Sequence, residues 1–196
     1  MHELVRDMRL PSKPAKNVST WHERMSAQYR AFEHACVGMT FPVVLDIGCG
    51  SAGIDVLLAR KFGALRVHLL DGDGSAPQVN GWNRATDAWN DVEKGAELVR
   101  ANSGPGVEVI THVAGQQLQI DDQLDLVISL RSWGHHYPIG IYLELVQRIL
   151  KPDGTLILDI RRKTDGVEQL HAAGFRRVDR IEDRSEKCDR LVFSRA

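Results

Sequence analysis

The chain has 196 residues, of which 43% are hydrophobic and 26% are charged, and its formal net charge is −1. This composition is typical of one globular domain with a buried core, and it gives no electrostatic support for nucleic-acid binding. No run of about 18 apolar residues predicts a membrane-spanning helix, and the start of the chain lacks a signal-peptide core. Cys36, Cys49 and Cys188 are too widely spaced for a disulfide framework or a zinc site. We therefore expect a cytoplasmic protein with no metal site.

The first part of the chain predicts a flexible arm followed by a helix. Residues 1–18 are polar and interrupted by prolines, so we predict a leader there and a single domain over residues 19–196. Thr20 and Glu23 have the spacing of a capping box, which predicts a helix start. Apolar side chains then recur on one helical face: Trp21, Met25, Tyr29, Phe32 and Cys36. We interpret this helix as packing on a sheet, and Trp21 or Tyr29 as candidates for closing a ligand site.

A strand, a glycine-rich turn and a helix follow. Val43–Ile47 is a short run rich in β-branched residues, which is typical of a buried strand. The turn contains Gly48, Gly50 and Gly53, so its backbone can approach a ligand closely at the amino end of the next helix. The apolar residues of that helix recur at helical spacing: Ile54, Leu57, Leu58 and Phe62. Because ligands bind at the carboxyl ends of strands in an open parallel sheet, the turn is predicted to bind one.

The glycine spacing by itself is also that of dinucleotide-binding proteins. Asp71 ends the second predicted strand, over residues 65–71, where a carboxylate can accept hydrogen bonds from both ribose hydroxyls. Asp46 lies two residues before the first glycine, which is not explained by a nicotinamide cofactor. The glycine motif therefore leaves two classes of cofactor open, and the rest of the chain must distinguish them.

Further strands and helices alternate along the chain. Residues 107–114 and 124–130 predict the third and fourth strands. Asn90 and Glu93 have the spacing of a capping box before the third strand, and residues 139–150 form an amphipathic pattern after the fourth. This alternation of strand and helix predicts an α/β fold with a mostly parallel sheet.

These features resemble the class I S-adenosylmethionine-dependent methyltransferases. Their first motif has the form acid-x-Gly-x-Gly-x-x-Gly, as Asp46 to Gly53 does, and Leu124–Ser129 resembles their Phe-Asp-Leu-Val-x-Ser strand. Leu150-Lys-Pro-Asp-Gly resembles the Leu-Lys-Pro-Gly-Gly signature, with Asp153 in place of a glycine. The resemblance covers residues 20–196. It implies a Rossmann-like three-layer sandwich with a seven-stranded, mostly parallel sheet and one antiparallel strand near the carboxyl terminus, formed by strands near residues 176–181 and 191–194.

The resemblance also implies a cofactor, S-adenosyl-L-methionine, which leaves as S-adenosyl-L-homocysteine. Gln116 stands where the family usually has the aspartate that binds the adenine amino group, and its amide oxygen can accept the same hydrogen bond. The residues that the resemblance assigns to the cofactor are Asp46, Gly48, Cys49, Gly50, Ser51, Gly53, Asp71, Gly72, Gln116, Gln117, Ser129 and Leu130.

Two segments are candidates for contact with the methyl acceptor. The first is an insertion over residues 74–90, in which Trp82 and Trp89 lie among asparagines. This insertion either forms a lid or acceptor contact, is anchored to the body of the protein, or is disordered. The second is the loop after the fourth strand, residues 131–138. Candidate acceptor contacts in these segments and in the first helix are Tyr29, Trp82, Trp89, Arg131 and Trp133.

The loop after the fourth strand also carries the candidate catalytic residues, His135 and His136. A histidine can accept a proton near neutral pH, so one of them is a candidate base, although both could simply line the methionine pocket. Adjacent histidines without a third spaced ligand do not predict a metal site. Arg131 could hold a carboxylate or phosphate through two hydrogen bonds, or be a surface arginine.

The sequence therefore predicts a methyltransferase that acts on a small-molecule acceptor. A methyltransferase for RNA or protein is one alternative, and a non-catalytic or NAD-binding module with the same fold is another. The loop after the fourth strand lacks the Asn/Asp-Pro-Pro-Tyr/Phe motif of nucleic-acid amino-methyltransferases. The arginines and lysine of residues 161–180 are interspersed with acids, which favours a solvated surface.

Overall fold

The computed structural model describes residues 15–74, 91–181 and 187–196. These residues form a sheet of seven strands flanked by helices. The helices are α1 (Ala15–Ala35), α2 (Gly53–Lys61), α3 (Val92–Asn102), α4 (Leu143–Ile149) and α5 (Gly166–Ala172). The strands are β1 (Val43–Ile47), β2 (Arg66–Asp71), β3 (Glu108–Val113), β4 (Leu124–Ser129), β5 (Leu150–Arg161), β6 (Phe175–Ile181) and β7 (Cys188–Arg195).

The strands lie in the order β3-β2-β1-β4-β5-β7-β6. β1 pairs in parallel with both β2 and β4, whereas β7 is antiparallel to β5 and to β6. The predicted α/β fold with one antiparallel strand is confirmed. The chain reverses its direction across the sheet between β1 and β4, and this switch point opens a crevice at the carboxyl ends of the strands.

Hydrophobic side chains cover both faces of the sheet, because successive residues of a strand point to opposite sides. In β1, Val44 lies in the cluster packed under α1, α2 and α3, while Leu45 and Ile47 lie in the cluster on the other face. The same alternation directs Asp46 to the face of Val44, which α2 covers. The result is the predicted three-layer arrangement, with an acid buried in the core beside the glycine turn.

Several element ends differ from the sequence predictions. α1 begins at Ala15, so residues 15–18 are helical although the sequence assigns them to a leader. The carboxylate of Asp91 caps α3 by accepting a hydrogen bond from Lys94 N at 3.3 Å, while Asn90, the predicted cap, lies outside the described residues. The predicted helix over 139–150 is a short 3-10 turn followed by α4. None of the helices in the described part of the chain has both the length and the apolar sequence needed to cross a membrane.

Candidate functional site

The glycine turn after β1 packs directly against the loop after β4. Gly48 has φ +77°, and a Cβ built there would lie 1.9 Å from Ser132 Oγ. Only a glycine accommodates both this left-handed backbone and this contact. The turn and the loop are therefore held together across the switch point, with Gly48 at the contact.

The last left-handed residue of the turn is an alanine. Ala52 has φ 52° and precedes α2, whereas Gly53 is the first residue of that helix. α3 also approaches the turn, since a Cβ at Gly95 would lie 3.1 Å from Gly50 O and 3.3 Å from Ala52 Cβ. Sequence reasoning placed the third conformational glycine at Gly53 and missed both Ala52 and Gly95. A glycine inside a predicted helix was the available signal for a close backbone approach.

Asp71 joins the end of β2 to the glycine turn. One carboxylate oxygen accepts a hydrogen bond from Gly50 N at 2.6 Å, and the other accepts one from Gly72 N at 2.7 Å. Burial raises the pKa of Asp71, and these two backbone hydrogen bonds act in the opposite direction. Because a carboxylate has about four acceptor positions, Asp71 keeps acceptor capacity for a ligand that lies in the crevice.

Two buried carboxyl groups face each other behind the turn. Asp46 is 3% exposed and Asp55 of α2 is fully buried, and one oxygen of Asp46 and both of Asp55 have no hydrogen-bond partner in the described part of the chain. Burial, followed by the proximity of Asp55, raises the pKa of Asp46 well above its usual range, and burial also raises that of Asp55. A proton held by one carboxyl can bridge to the other, so the pair retains a proton well above the ordinary pKa of a carboxylic acid.

Cys49, in the same turn, is a buried thiol rather than a nucleophile. Burial raises its pKa well above the ordinary value, and the nearby carboxyls of Asp71 and Asp46 raise it further. A thiol that stays protonated is unreactive. We therefore assign Cys49 a packing role in the turn.

Ser129 fastens β4 to β1 and to the loop that follows. Its hydroxyl donates a hydrogen bond to Ile47 O at 2.6 Å and accepts one from Trp133 N at 2.8 Å, and the residue is fully buried. Trp133 is also fully buried, and its indole N–H donates to Ile139 O at 2.8 Å. Neither side chain has accessible surface for a ligand, so both position the loop after β4.

Tyr29, another predicted acceptor contact, is equally inaccessible. Its ring is fully buried in the core under α1, and its hydroxyl donates a hydrogen bond to Glu33 at 3.0 Å. Burial, together with the Glu33 carboxylate, raises the pKa of the phenol well above its usual value. Met25, Tyr29, Phe32 and Cys36 thus belong to the core or pack against it, whereas the side chain of Trp21 lies outside the described part of the structure.

His135 and His136 lie in the loop after β4. Their backbone N–H groups both donate to Ser132 O, at 3.1 Å and 2.8 Å, and their rings meet edge to face with centroids 4.4 Å apart. Burial lowers the pKa of both imidazoles, and the positive charges of Arg131 and Arg161 lower it further. Both histidines are therefore neutral at pH 7, with nitrogen lone pairs that can accept a proton.

The other predicted site residues lie around the same edge. Gln116 and Gln117 are exposed after β3, Leu130 packs against the core, and Arg131 is exposed with φ 63°. Trp82, Trp89 and the rest of the insertion after Gly74 lie outside the described residues. Within the described ranges, no three histidine, cysteine or acidic side chains are arranged to hold a metal ion.

Solved methyltransferases have the same architecture. Magnesium protoporphyrin IX methyltransferase from Synechocystis PCC 6803, with bound SAM, matches 99% of this chain and 90% of its own, with a TM-score of 0.60 and 17% identity. A putative type 11 methyltransferase from Sulfolobus solfataricus matches 86% and 91%, with a TM-score of 0.57 and 19% identity. The ribosomal protein L11 methylase from Lactobacillus delbrueckii subsp. bulgaricus matches 89% and 79%, with a TM-score of 0.56 and 18% identity.

The chain has the class I methyltransferase fold. No protein-family model matches its sequence. By sequence, the chain is similar to the probable protein arginine N-methyltransferase 6 of Arabidopsis thaliana, with 26% identity over 120 residues. That match covers 59% of this chain, which spans 23% of the length of this curated relative. In this fold, the glycine turn, Asp71 and the loop that carries the two histidines follow the carboxyl ends of β1, β2 and β4.

Proposed function

We propose that the protein is an S-adenosylmethionine-dependent methyltransferase with a small-molecule acceptor. The observation that carries the proposal is the hydrogen bond from Gly50 N to Asp71, 2.6 Å long. It makes the acid at the end of β2 and the glycine turn after β1 into one surface at the switch point, where an open α/β sheet binds its ligand. Asp71 and the glycine turn together suit a nucleoside whose attached group is charged but contains no phosphate.

The residues present fit this cofactor. Asp71 retains acceptor positions for the two ribose hydroxyls, and Gln116 offers an amide oxygen to the adenine amino group. Asp46 is buried behind the turn against Asp55, so its part in holding the methionine portion is indirect, through the position of the glycine turn. When bound, the cofactor supplies a methyl group on a positively charged sulfur, which is a good leaving group.

The protein contributes orientation and, through its histidines, a proton acceptor. Ser129 fixes the loop after β4 against β1, and this loop carries His135 and His136. Because both imidazoles are neutral at pH 7, either can take the proton that a nucleophilic O–H or N–H loses. Holding the reacting groups in line supplies most of the rate enhancement that this chemistry needs.

A small acceptor is favoured by the charge of the chain and by its loops. The net charge of −1 gives no broad electrostatic attraction for RNA. The loop after β4 also lacks the Asn/Asp-Pro-Pro-Tyr/Phe motif that holds an exocyclic base amine.

Ligand binding tests the proposal directly. We expect S-adenosylhomocysteine to raise the Tm, and NADH to leave it unchanged, because a ligand that binds only the folded state stabilises that state. The Asp71→Ala variant should lose at least about 100-fold in affinity for S-adenosylhomocysteine, since it removes hydrogen bonds to a charged group worth roughly 1.5–3 kcal/mol each. The control is Asp153→Ala, which removes an exposed carboxylate of β5.

Equal affinity of the Asp71→Ala variant and the native protein would refute the assignment of Asp71. Stabilisation by NADH rather than by S-adenosylhomocysteine would refute the proposed function. A screen of metabolites for release of S-adenosylhomocysteine then tests turnover. If S-adenosylhomocysteine is released only when an RNA or a protein is supplied, the proposal of a small-molecule acceptor is wrong.

A further inference from the structure

A buried histidine of β2 joins the connection from β3 to β4, residues 114–123, to the sheet. His68 is 2% exposed, and its Nε2 lies 2.9 Å from Asp122 Oδ2, while its Nδ1 lies 3.0 Å from His112 Nε2. The planes of the two rings are 18° from parallel. The other carboxylate oxygen of Asp122 accepts a hydrogen bond from Arg66 at 2.6 Å. We call Asp122, His68 and His112 the histidine network.

The histidine network lies on the face of the sheet that the connection crosses. Leu45 of β1 is in register with His68, so the imidazole points to the face whose cluster contains Leu45 and Ile120. His112 of β3 lies on the same face, as its contact with His68 requires. Residues 114–123 contain no helix, and Ile120 is the buried apolar side chain of this segment. The network therefore supplies polar contacts that hold a short, non-helical connection on the sheet.

The connection begins at the proposed cofactor site. Ala114 N donates a hydrogen bond to Asp71 O at 2.8 Å, and Gln116 and Gln117 follow directly. Asp122 lies at the other end of the connection, just before β4. Because the connection is fixed at both ends, the hydrogen bonds of Asp122 limit the positions that Gln116 and Gln117 can take.

The contacts of the network define where its protons lie. Partial burial acts to raise the pKa of Asp122, but the hydrogen bonds from Arg66 and His68 outweigh it and lower the pKa, so the carboxylate is ionised at pH 7. An ionised carboxylate only accepts hydrogen bonds, so the hydrogen of this contact lies on His68 Nε2. Burial lowers the pKa of both imidazoles. His68 is therefore neutral with an unprotonated Nδ1, and His112 donates to it through Nε2.

The contact between the two imidazoles tolerates one added proton but not two. With one added proton, the two facing nitrogens still share a single hydrogen. With two, both facing nitrogens carry a hydrogen and both rings are positively charged, so the contact between His68 and His112 is lost. The charged side chains of the surrounding elements are Arg66 of β2, Glu108 of β3, Asp121 and Asp122 of the connection, and Arg148 of α4. After burial, the largest influence on the pKa of His68 is Asp122, which raises it, whereas Arg66 lowers it.

We propose that the histidine network is a set of positioning residues that holds the connection after β3 where adenine binding requires it, and that it releases the connection when both imidazoles are protonated. This inference rests on the proposed function. The network acts on the cofactor only through Gln116 and Gln117, and its own side chains do not touch the reacting atoms. The affinity for the cofactor therefore falls at acid pH, when the second proton binds.

The first test uses the full native chain without ligand. Nitrogen-15 NMR of the imidazoles reports which nitrogen carries the proton, and hydrogen exchange reports the protection of the amides in residues 114–123. We expect His68 and His112 to carry their protons on Nε2 at pH 8, and the protection of these amides to fall when both rings become charged in acid. A neutral His68 with its proton on Nδ1 would overturn the proposal.

Calorimetry of S-adenosylhomocysteine binding between pH 5 and pH 8 tests the link to the cofactor. His112→Ala removes the donor to His68 and should weaken binding by roughly three- to tenfold at pH 8, as expected for one lost hydrogen bond. His112→Gln keeps an N–H donor there but does not titrate, so it should bind like the native protein at pH 8 and keep that affinity in acid. The affinity of the native protein should instead fall in acid towards that of His112→Ala.

The matched control is His34→Ala, which removes an imidazole from an exposed position of α1, the helix packed on the opposite face of the sheet. It should change neither the affinity nor its pH dependence. Equal affinities of His112→Ala and the native protein at pH 8 would contradict the proposal, as would equal losses in His112→Ala and His112→Gln. An identical fall in acid for the native protein and His112→Gln would assign the pH dependence to other groups and also overturn it.

Failure of the proposed function has a separate signature, because NMR and hydrogen exchange examine the network without ligand. If the native protein does not bind S-adenosylhomocysteine while the imidazole protons and the protected amides are as expected, the proposed function alone is wrong. If S-adenosylhomocysteine binds normally and no substitution at His112 changes its affinity, the positioning role alone is wrong.

Discussion

The buried pair of Asp46 and Asp55 makes the stability of the protein depend on pH, and a single substitution should reduce this dependence. Burial raises the pKa of Asp55 in the folded protein, whereas the unfolded chain has an ordinary value of about 3.9. Above that value the unfolded state has lost the proton while the folded state still holds it. The free energy of unfolding is therefore highest at acid pH. It falls as the pH rises between the unfolded-state and folded-state pKa values, by about 1.4 kcal/mol per pH unit for each proton that the folded state retains.

Asp55→Asn should reverse this loss. The amide has nearly the shape of the carboxyl, carries no charge at any pH and can donate a hydrogen bond to Asp46, whose oxygen lacks a partner among the described residues. Satisfying buried acceptors is worth about 1–3 kcal/mol. We expect the variant to gain about 2 kcal/mol at pH 8, or roughly 4–8 °C in Tm for a chain of this size, and little at pH 4.

The assay is thermal unfolding followed by circular dichroism between pH 4 and pH 8 in the native protein and the variant. Asp153→Asn, on the exposed part of β5, is the control and should leave the pH dependence unchanged. Parallel Tm curves for the Asp55→Asn variant and the native protein would refute the shared proton. A variant that is less stable than the native protein at pH 8 would show that this position favours the carboxyl group of Asp55 over a neutral amide.

Three further substitutions test the contacts that build the site. Gly48→Ala should abolish S-adenosylhomocysteine binding and lower stability by about 1–3 kcal/mol, because the new Cβ would lie 1.9 Å from Ser132 Oγ; calorimetry and denaturant titration measure both effects. Ser129→Ala should lower the free energy of unfolding by about 1–3 kcal/mol, since Ile47 O and Trp133 N lose their buried partner; an unchanged urea midpoint would contradict this. Arg190→Met should lower the free energy of unfolding by about 3–5 kcal/mol, because Asp159 is left buried without its partner; a urea titration measures the loss.

Much of the fold could be predicted because short contiguous sequence patterns determine its strands, turns and helices. Val43–Ile47, the glycine turn and the apolar face of α2 are adjacent in the chain, so their local preferences identify a strand, a turn and a helix without any distant contact. Asp71 could be placed at the end of β2 for the same reason. β6 was predicted one residue short and β7 four residues short, because strand ends depend on pairing with neighbours rather than on the residues themselves.

The site was less predictable wherever a contact joins distant segments. The sequence could not indicate that Asp55 meets Asp46, that Gly95 packs on Gly50, or that Trp133 is buried with its N–H satisfied, since these depend on how helices lie over the sheet. Trp133 and Tyr29 were predicted as acceptor contacts because aromatic residues suit both binding sites and cores, and sequence alone does not distinguish the two.

The sequence by itself therefore determined the alternation of strands and helices, the glycine turn and the acid at the end of β2. Only the tertiary structure decided which charges act on one another: Asp46 and Asp55 behind the turn, and Arg131 and Arg161 on the two histidines, whose pKa they lower. The physical reason is that local patterns set the backbone, whereas sheet order and register decide which distant side chains become neighbours in a medium of low dielectric. The electrostatics of the crevice depend on those neighbours.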